Sequence, residues 1–149
     1  MTIIVANKHE MIADGQMTSC LDFKTSMNTK KIYKIRFFGK QIVFGCAGAK
    51  SFPKIFIEEL KKANNIQEAL NEAQDRIKYW QVVIYHEGSI SVSTSDDVER
   101  ALQEYVCLGT GANYAQGALD AGATPLEAVK IACRRNLYCG GKIQRVKLK

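Results

Sequence analysis

The residues of this chain best suited to chemistry stand at its start, where Thr2 follows Met1. If Met1 is removed, Thr2 carries a hydroxyl and a free α-amine on one residue, a self-contained nucleophile and base. A threonine hydroxyl is a poor nucleophile without a base beside it; an α-amine, with a reference pKa of about 7.7 to 8.0, is partly neutral near pH 7 and supplies one. No distant histidine is then required. Aminopeptidases that trim initiator methionine prefer a small second residue, so Thr2 can be exposed without any propeptide, and the sequence leaves open whether it is. A Met-Thr start is also commonplace, and the rest of the pattern has to support the reading.

The other reactive side chains narrow the alternatives. Cys20, Cys46, Cys107, Cys133 and Cys139 are odd in number and contain no CxxC pair, which argues against a disulfide framework and against a zinc site. Most read as small buried apolar residues. His9 and His86 stand beside turns, without the carboxylate or cysteine spacing of a catalytic or metal pair. The net charge of +6 is spread along the chain and the aromatics do not interleave with it, so nucleic-acid binding is not expected. The densest basic cluster, Lys142 to Lys149, alternates with Ile143, Val146 and Leu148 and reads as an edge strand protected by charge.

These residues must be positioned by a chain of 149 residues, which is most simply one domain spanning 1–149. No apolar stretch approaches the roughly 18 to 20 residues needed to cross a bilayer. The start lacks the basic and long apolar regions of a signal peptide, so a cytoplasmic location and no membrane partner are expected. Thr2 to Asn7 is rich in β-branched residues and reads as a strand, and Met11-Ile12-Ala13 returns to deliver Asp14 to a strand end. After a polar segment from Thr18 to Thr29, strands Lys31 to Phe38 and Gln41 to Cys46 are joined at Gly39-Lys40. Helices are predicted from near Ser51 and from about Ile66 to Tyr79. A hairpin follows, Gln81 to Tyr85 and Ser89 to Ser93, turned at Glu87-Gly88. Beyond a polar segment from Ser95 to Arg100, the strand Tyr105 to Leu108 runs into Gly109-Thr110-Gly111. Helix Ala112 to Ala121 then leads to a helix capped by Thr124, with Pro125 at its first position and Glu127 as box partner, ending near Asn136. Paired helices between strands do not fit a doubly wound parallel sheet; an α+β arrangement of two antiparallel sheets between helix pairs fits better.

In this order and spacing the chain resembles the β-type proteasome subunits and their bacterial relative, the HslV peptidase. The resemblance rests on Thr2-Ile3-Ile4-Val5, Ala13-Asp14-Gly15-Gln16-Met17-Thr18, Lys30-Lys31-Ile32, Ala47-Gly48-Ala49 and Leu108-Gly109-Thr110-Gly111-Ala112-Asn113-Tyr114-Ala115. Arg135-Asn136-Leu137-Tyr138-Cys139-Gly140-Gly141 is similar to a segment that reads Arg-Asp-x-Tyr-Ser-Gly-Gly in proteasome subunits.

The resemblance implies an N-terminal nucleophile hydrolase: a four-layer αββα sandwich, assembled into hexameric or heptameric rings, singly or stacked, that enclose the active sites. Thr2 would be the nucleophile, Asp14 and Lys31 an ion pair beside it, and the Gly48 N–H the oxyanion donor. Without the resemblance, Asp14 and Lys31 read as an ordinary surface aspartate and strand lysine. Thr18 would lie where an extended substrate pairs its backbone. Thr110, Asn136 and Cys139 would complete the surroundings of the terminal amine. At three places the chain departs from the proteasome pattern: Asn136 stands for aspartate, Cys139 for serine, and Thr110 for the serine of Gly-Ser-Gly. Asn136 thereby loses a charge that would orient the amine. The implied substrate is unfolded polypeptide and the implied partner an ATP-driven unfoldase. No cofactor is required for such hydrolysis, and a monovalent or divalent cation near the site is left open. The competing function is a catalytically weak or inactive ring with a structural or regulatory role, which a retained Met1 would favour.

Overall fold

A computed structural model of the chain describes residues 2–18, 24–96, 98–100 and 104–148, with 98–100 described by backbone alone. Met1 and Cys20 therefore lie outside the described residues. The first part of the chain forms β1 (Ile4–Ala6), β2 (Glu10–Ala13), β3 (Met17–Thr18), β4 (Lys24–Ser26), β5 (Ile32–Phe37) and β6 (Lys40–Gly48). Two helices follow, α1 (Phe52–Leu60) and α2 (Ile66–Arg76), then β7 (Trp80–His86), β8 (Ser89–Thr94), β9 (Val98–Arg100) and β10 (Val106–Leu108). Helices α3 (Ala112–Asp120) and α4 (Pro125–Arg135) precede the last strand, β11 (Gln144–Lys147).

The architecture is mixed α+β with antiparallel sheets and four helices among the described residues. One sheet has the order β10-β1-β2-β11, the other β5-β6-β7-β8-β9, and β3 and β4 form a small hairpin of their own. The basic C-terminal strand β11 is an edge strand, as its alternation predicts.

Strand periodicity decides what each sheet face meets. Ile4, Ala6, Met11 and Ala13 point toward Ile32, Val43, Val83 and Tyr85 of the five-stranded sheet. Their alternates Ile3, Val5 and Ile12 pack against Ala115 and Leu119 of α3 and Ala128, Val129 and Ala132 of α4. On the far face of the five-stranded sheet, Ile42, Phe44, Trp80, Val82 and Ile84 meet Phe52, Phe56 and Leu60 of α1 and Ala69, Leu70 and Ala73 of α2. Phe52 stacks on Trp80 with centroids 4.5 Å apart, and losing such a fully buried ring costs about 3–5 kcal/mol.

Local differences from the sequence reading have physical causes. Helix α2 ends at Arg76 rather than Tyr79, because Ile77 is extended and Tyr79 takes φ 61° to turn Trp80 into the core, where its indole N–H donates to the Ile77 carbonyl at 3.1 Å. The β5–β6 turn is centred on Phe38 and Gly39, with φ of 48° and 77°, rather than on Gly39-Lys40. Two left-handed residues match the twist of a two-residue hairpin, even though Phe38 is a costly occupant. Pairing with β7 carries β6 through to Gly48, past the predicted end at Cys46. The segments read only as polar, Thr18 to Thr29 and Ser95 to Arg100, contain β4 and β9, whose ladders supply what hydrophobic alternation did not signal.

Candidate active site

Thr2 stands just ahead of β1 and is held on both sides by backbone contacts. Its carbonyl accepts the Gly111 N–H at 3.2 Å and the Thr110 hydroxyl at 3.5 Å, while the Ile3 carbonyl accepts the Asp14 N–H at 3.2 Å. The loop reaches this close because Gly109 has φ 94°; a Cβ there would lie 2.1 Å from the Thr2 carbonyl oxygen. Sequence spacing alone could not give this contact.

Asp14, one residue beyond β2, is completely buried and is the centre of the site. Its Oδ1 accepts from the Thr2 hydroxyl at 2.7 Å, the Ile3 N–H at 3.1 Å and Lys31 Nζ at 2.6 Å. Its Oδ2 accepts from the Gly140 N–H at 2.9 Å. Four donors, one of them cationic, compensate the burial of this carboxylate. Lys31 immediately precedes β5 and is itself buried, 7% exposed. Asp14 and Lys31 are thus a buried pair, unlike the surface residues that they resemble when read singly.

Two glutamines that the sequence reading assigned no role hold this geometry. The Gln144 carboxamide oxygen accepts the N–H of Lys31 at 2.8 Å and that of Ile32 at 3.3 Å, and its NH2 donates to the Thr29 carbonyl. Edge strand β11 thereby fixes the backbone from which Lys31 projects. Buried Gln16 donates to the Thr18 hydroxyl at 3.1 Å and to the Leu137 carbonyl at 2.9 Å, tying β3 to the segment after α4.

Thr2 lies where two clefts meet. The larger, of ≈ 510 Å³, is also lined by Thr18, Lys30, Tyr33, Ala47 and Lys50, among others; the smaller, of ≈ 430 Å³, by Trp80, Asp96, Gly109 and Thr110, among others. Gly48 lines both and is exposed at the end of β6. Its φ of 96° suits glycine alone, and a Cβ there would fall 2.1 Å from the Tyr79 carbonyl oxygen.

The C-terminal departures lie around Thr110. The Thr110 hydroxyl is 3.9 Å from Cys139 Sγ, and burial, reinforced by the charge of Asp14, pushes the Cys139 thiol up to about 11. Cys139 is consequently a neutral group near pH 7. The Asn136 NH2 donates to the Thr110 carbonyl at 2.8 Å and its oxygen accepts the Tyr138 N–H at 2.8 Å. Neither bond goes to Thr2, so Asn136 reaches the site through the Thr110 loop rather than by direct contact. Cys46, buried beside the larger cleft, has its thiol pushed up to about 12, chiefly by burial. His9 and His86 line neither cleft. Among the described residues no group of three His, Cys, Asp or Glu side chains is placed to hold a metal ion. No helix among them is long and apolar enough to cross a membrane.

No protein-family model matches the chain, and no curated protein matches it. Solved structures do. The chain is similar to Anbu from Hyphomicrobium sp. strain MC1, with a TM-score of 0.79 at 16% identity, over 99% of this chain and 82% of that one. It is similar to BPH from Thiobacillus denitrificans in complex with epoxomicin, with a TM-score of 0.76 at 16% identity, over 99% and 97% of the two chains. It is also similar to eukaryotic HslV from Trypanosoma brucei, with a TM-score of 0.71 at 15% identity, over 99% and 98%. At these identities the likeness is one of fold, and it extends over 99% of this chain in each of the three.

Proposed function

We propose that the chain, as one domain, is a subunit of a self-compartmentalising, proteasome-like ring of six or seven subunits, single or stacked, and that it hydrolyses peptide bonds of unfolded protein. In this reading the three core clusters are the interfaces of a four-layer αββα sandwich of the N-terminal nucleophile type. The observation that carries it is the chain of contacts from the Thr2 hydroxyl through Asp14 to Lys31, buried where two clefts meet beside exposed Gly48.

The chemistry follows from that arrangement once removal of Met1 frees the Thr2 amine. The α-amine takes the hydroxyl proton as Thr2 Oγ1 attacks the scissile carbonyl carbon, and the Gly48 N–H stabilises the developing oxyanion. Collapse of the tetrahedral intermediate expels the leaving amine, which takes the proton, and leaves an acyl ester on Thr2. Water, deprotonated by the same α-amine, then hydrolyses the ester. Asp14 orients the hydroxyl, and Lys31 stabilises negative charge beside it. Thr18 lies along the larger cleft where a substrate backbone runs. Thr110, Asn136 and Cys139 brace the Thr2 carbonyl side of the site. No step uses a cofactor or a metal ion. An ATP-driven unfoldase supplies extended substrate, and the assembly works in the cytoplasm.

The experiment is hydrolysis of an unstructured casein-like protein by wild type, Thr2→Ser, Thr2→Ala and Lys31→Met, with particle mass measured by light scattering. The reading expects turnover in wild type and Thr2→Ser, loss of at least about 100-fold in the other two, and a ring mass in all four. Equal turnover in Thr2→Ala removes Thr2 from the mechanism. Ring mass without turnover in any form supports the structural or regulatory role, and a monomer at micromolar concentration removes the chamber.

A further inference from the structure

Among the described residues the charge of the larger cleft is one-sided. Three lysines, Lys30, Lys31 and Lys50, line it, and no aspartate or glutamate is among its described lining residues. Asp14 answers the charge of Lys31 from beneath. Lys30 and Lys50 are exposed, and neither forms a salt bridge among the described residues. Lys30 is held at the rim, with Nζ 5.0 Å from the Tyr33 ring centroid and the Tyr33 hydroxyl donating to the Lys30 carbonyl at 2.9 Å. The other ionisable groups on the wall do not offset these charges. Burial keeps the Tyr33 hydroxyl and the Cys46 thiol protonated, both raised above their ordinary values. Pro53, also on the wall, lies in the first turn of α1, where no acidic residue opposes the positive end of the helix dipole. The smaller cleft, on the other side of Gly48, has the opposite character among the described residues: Asp96 lines it and no described lysine or arginine does.

We propose, resting on the peptidase reading, that the larger cleft selects a substrate side chain bearing a carboxylate, which Lys30 and Lys50 receive at its rim while the aliphatic stem lies against Ala47, Ala49 and Pro53. The selection is electrostatic and solvent-screened, so it amounts to about three- to tenfold in affinity or kcat/KM for glutamate over the isosteric glutamine, and falls with salt.

Two measurements on the full chain separate this inference from the catalytic one. In the first, a single glutamate is walked through an otherwise neutral fluorescent peptide, each peptide being paired with its glutamine counterpart, and cleavage by wild type is compared with cleavage by Lys30→Gln/Lys50→Gln. In the second, the same pairs bind Thr2→Ala protein, which keeps the cleft and lacks the nucleophile, with binding read by fluorescence anisotropy. The expected result is one position at which glutamate is favoured about three- to tenfold at low salt. That preference collapses to parity in the double lysine variant and in about 1 M salt, and it reverses in Lys30→Glu/Lys50→Glu. Thermal unfolding of the lysine variants, both substituted at exposed positions, checks that they remain folded. Parity of glutamate and glutamine at every position in binding overturns the inference, whatever the turnover. Preferential binding of glutamate without hydrolysis by wild type upholds it and overturns the peptidase reading instead.

Discussion

Replacing Asp14 with asparagine keeps the shape of the side chain and changes only its charge and half of its acceptor capacity. In the native site every approach to the carboxylate is made by a donor: the Thr2 hydroxyl, the Ile3 N–H and Lys31 at one oxygen, and the Gly140 N–H at the other. An amide NH2 must face one of these sets. The less damaging choice turns it toward Gly140, leaving that N–H unsatisfied at about 1–3 kcal/mol. Lys31, 7% exposed, also loses the negative charge 2.6 Å away, and removing one member of a buried pair costs about 3–5 kcal/mol. Together these come to roughly 4–8 kcal/mol, a large part of the 5–15 kcal/mol that holds an ordinary domain folded. Lys31→Met also removes one member of the pair but leaves every N–H and O–H donor to the carboxylate in place, so it should cost only the roughly 3–5 kcal/mol of the pair itself. Urea unfolding of both variants at neutral pH, with the slope checked against wild type, reads the difference. Asp14→Asn within about 1 kcal/mol of wild type, or less costly than Lys31→Met, would refute the role of Asp14 as the hub of the site.

Gly48→Ala puts a Cβ 2.1 Å from the Tyr79 carbonyl at a positive φ, so it should destabilise by about 1–3 kcal/mol and shift the N–H proposed for the oxyanion. A fall in kcat of about 100-fold per folded molecule is expected, read by active-site-normalised turnover. Asn136→Asp replaces a donor to the Thr110 carbonyl with a carboxylate, so the melting temperature and kcat should both fall; unchanged melting with faster turnover would show instead that charge at this place matters more than the Thr110 contact. Burial raises the thiols of Cys46 to about 12 and Cys139 to about 11, against an ordinary value of 9.0. The unfolded chain therefore releases these protons first, and stability that is complete below pH 9 falls as pH rises toward 11 to 12. Thermal melts from pH 8 to 11 test this, and Cys46→Ala should flatten the alkaline decline.

The order of elements was readable because helical and strand periodicities are strong here, and the Thr124–Glu127 capping box forms as its spacing predicts. What periodicity does not encode is tertiary demand. Trp80 ends α2 early because the core needs the indole, and Phe38 occupies a left-handed turn position because the strands on either side fix the register. In the site, Asp14 and Lys31 were legible only through their place among several short motifs, since each alone is an ordinary charged residue. Gln144 was not legible at all. Its bond to the Lys31 N–H spans 113 positions, and a glutamine in a basic edge strand has no local signature. The sequence reads Asn136 as a lost charge near the terminal amine, and it gives no sign of the bonds that its side chain makes to the Thr110 carbonyl and the Tyr138 N–H.

The central claim is that a free amine and a hydroxyl on the same residue do the chemistry. It is tested most directly by preparing the protein in three forms: with Thr2 as its first residue, verified by intact mass; with Met1 retained; and with Thr2 first but its amine acetylated. Hydrolysis of an unstructured polypeptide should appear in the first form and be absent from the other two, with all three showing the same thermal transition. Equal turnover in the three forms would contradict the mechanism and leave Thr2 as a buried partner of Asp14 alone.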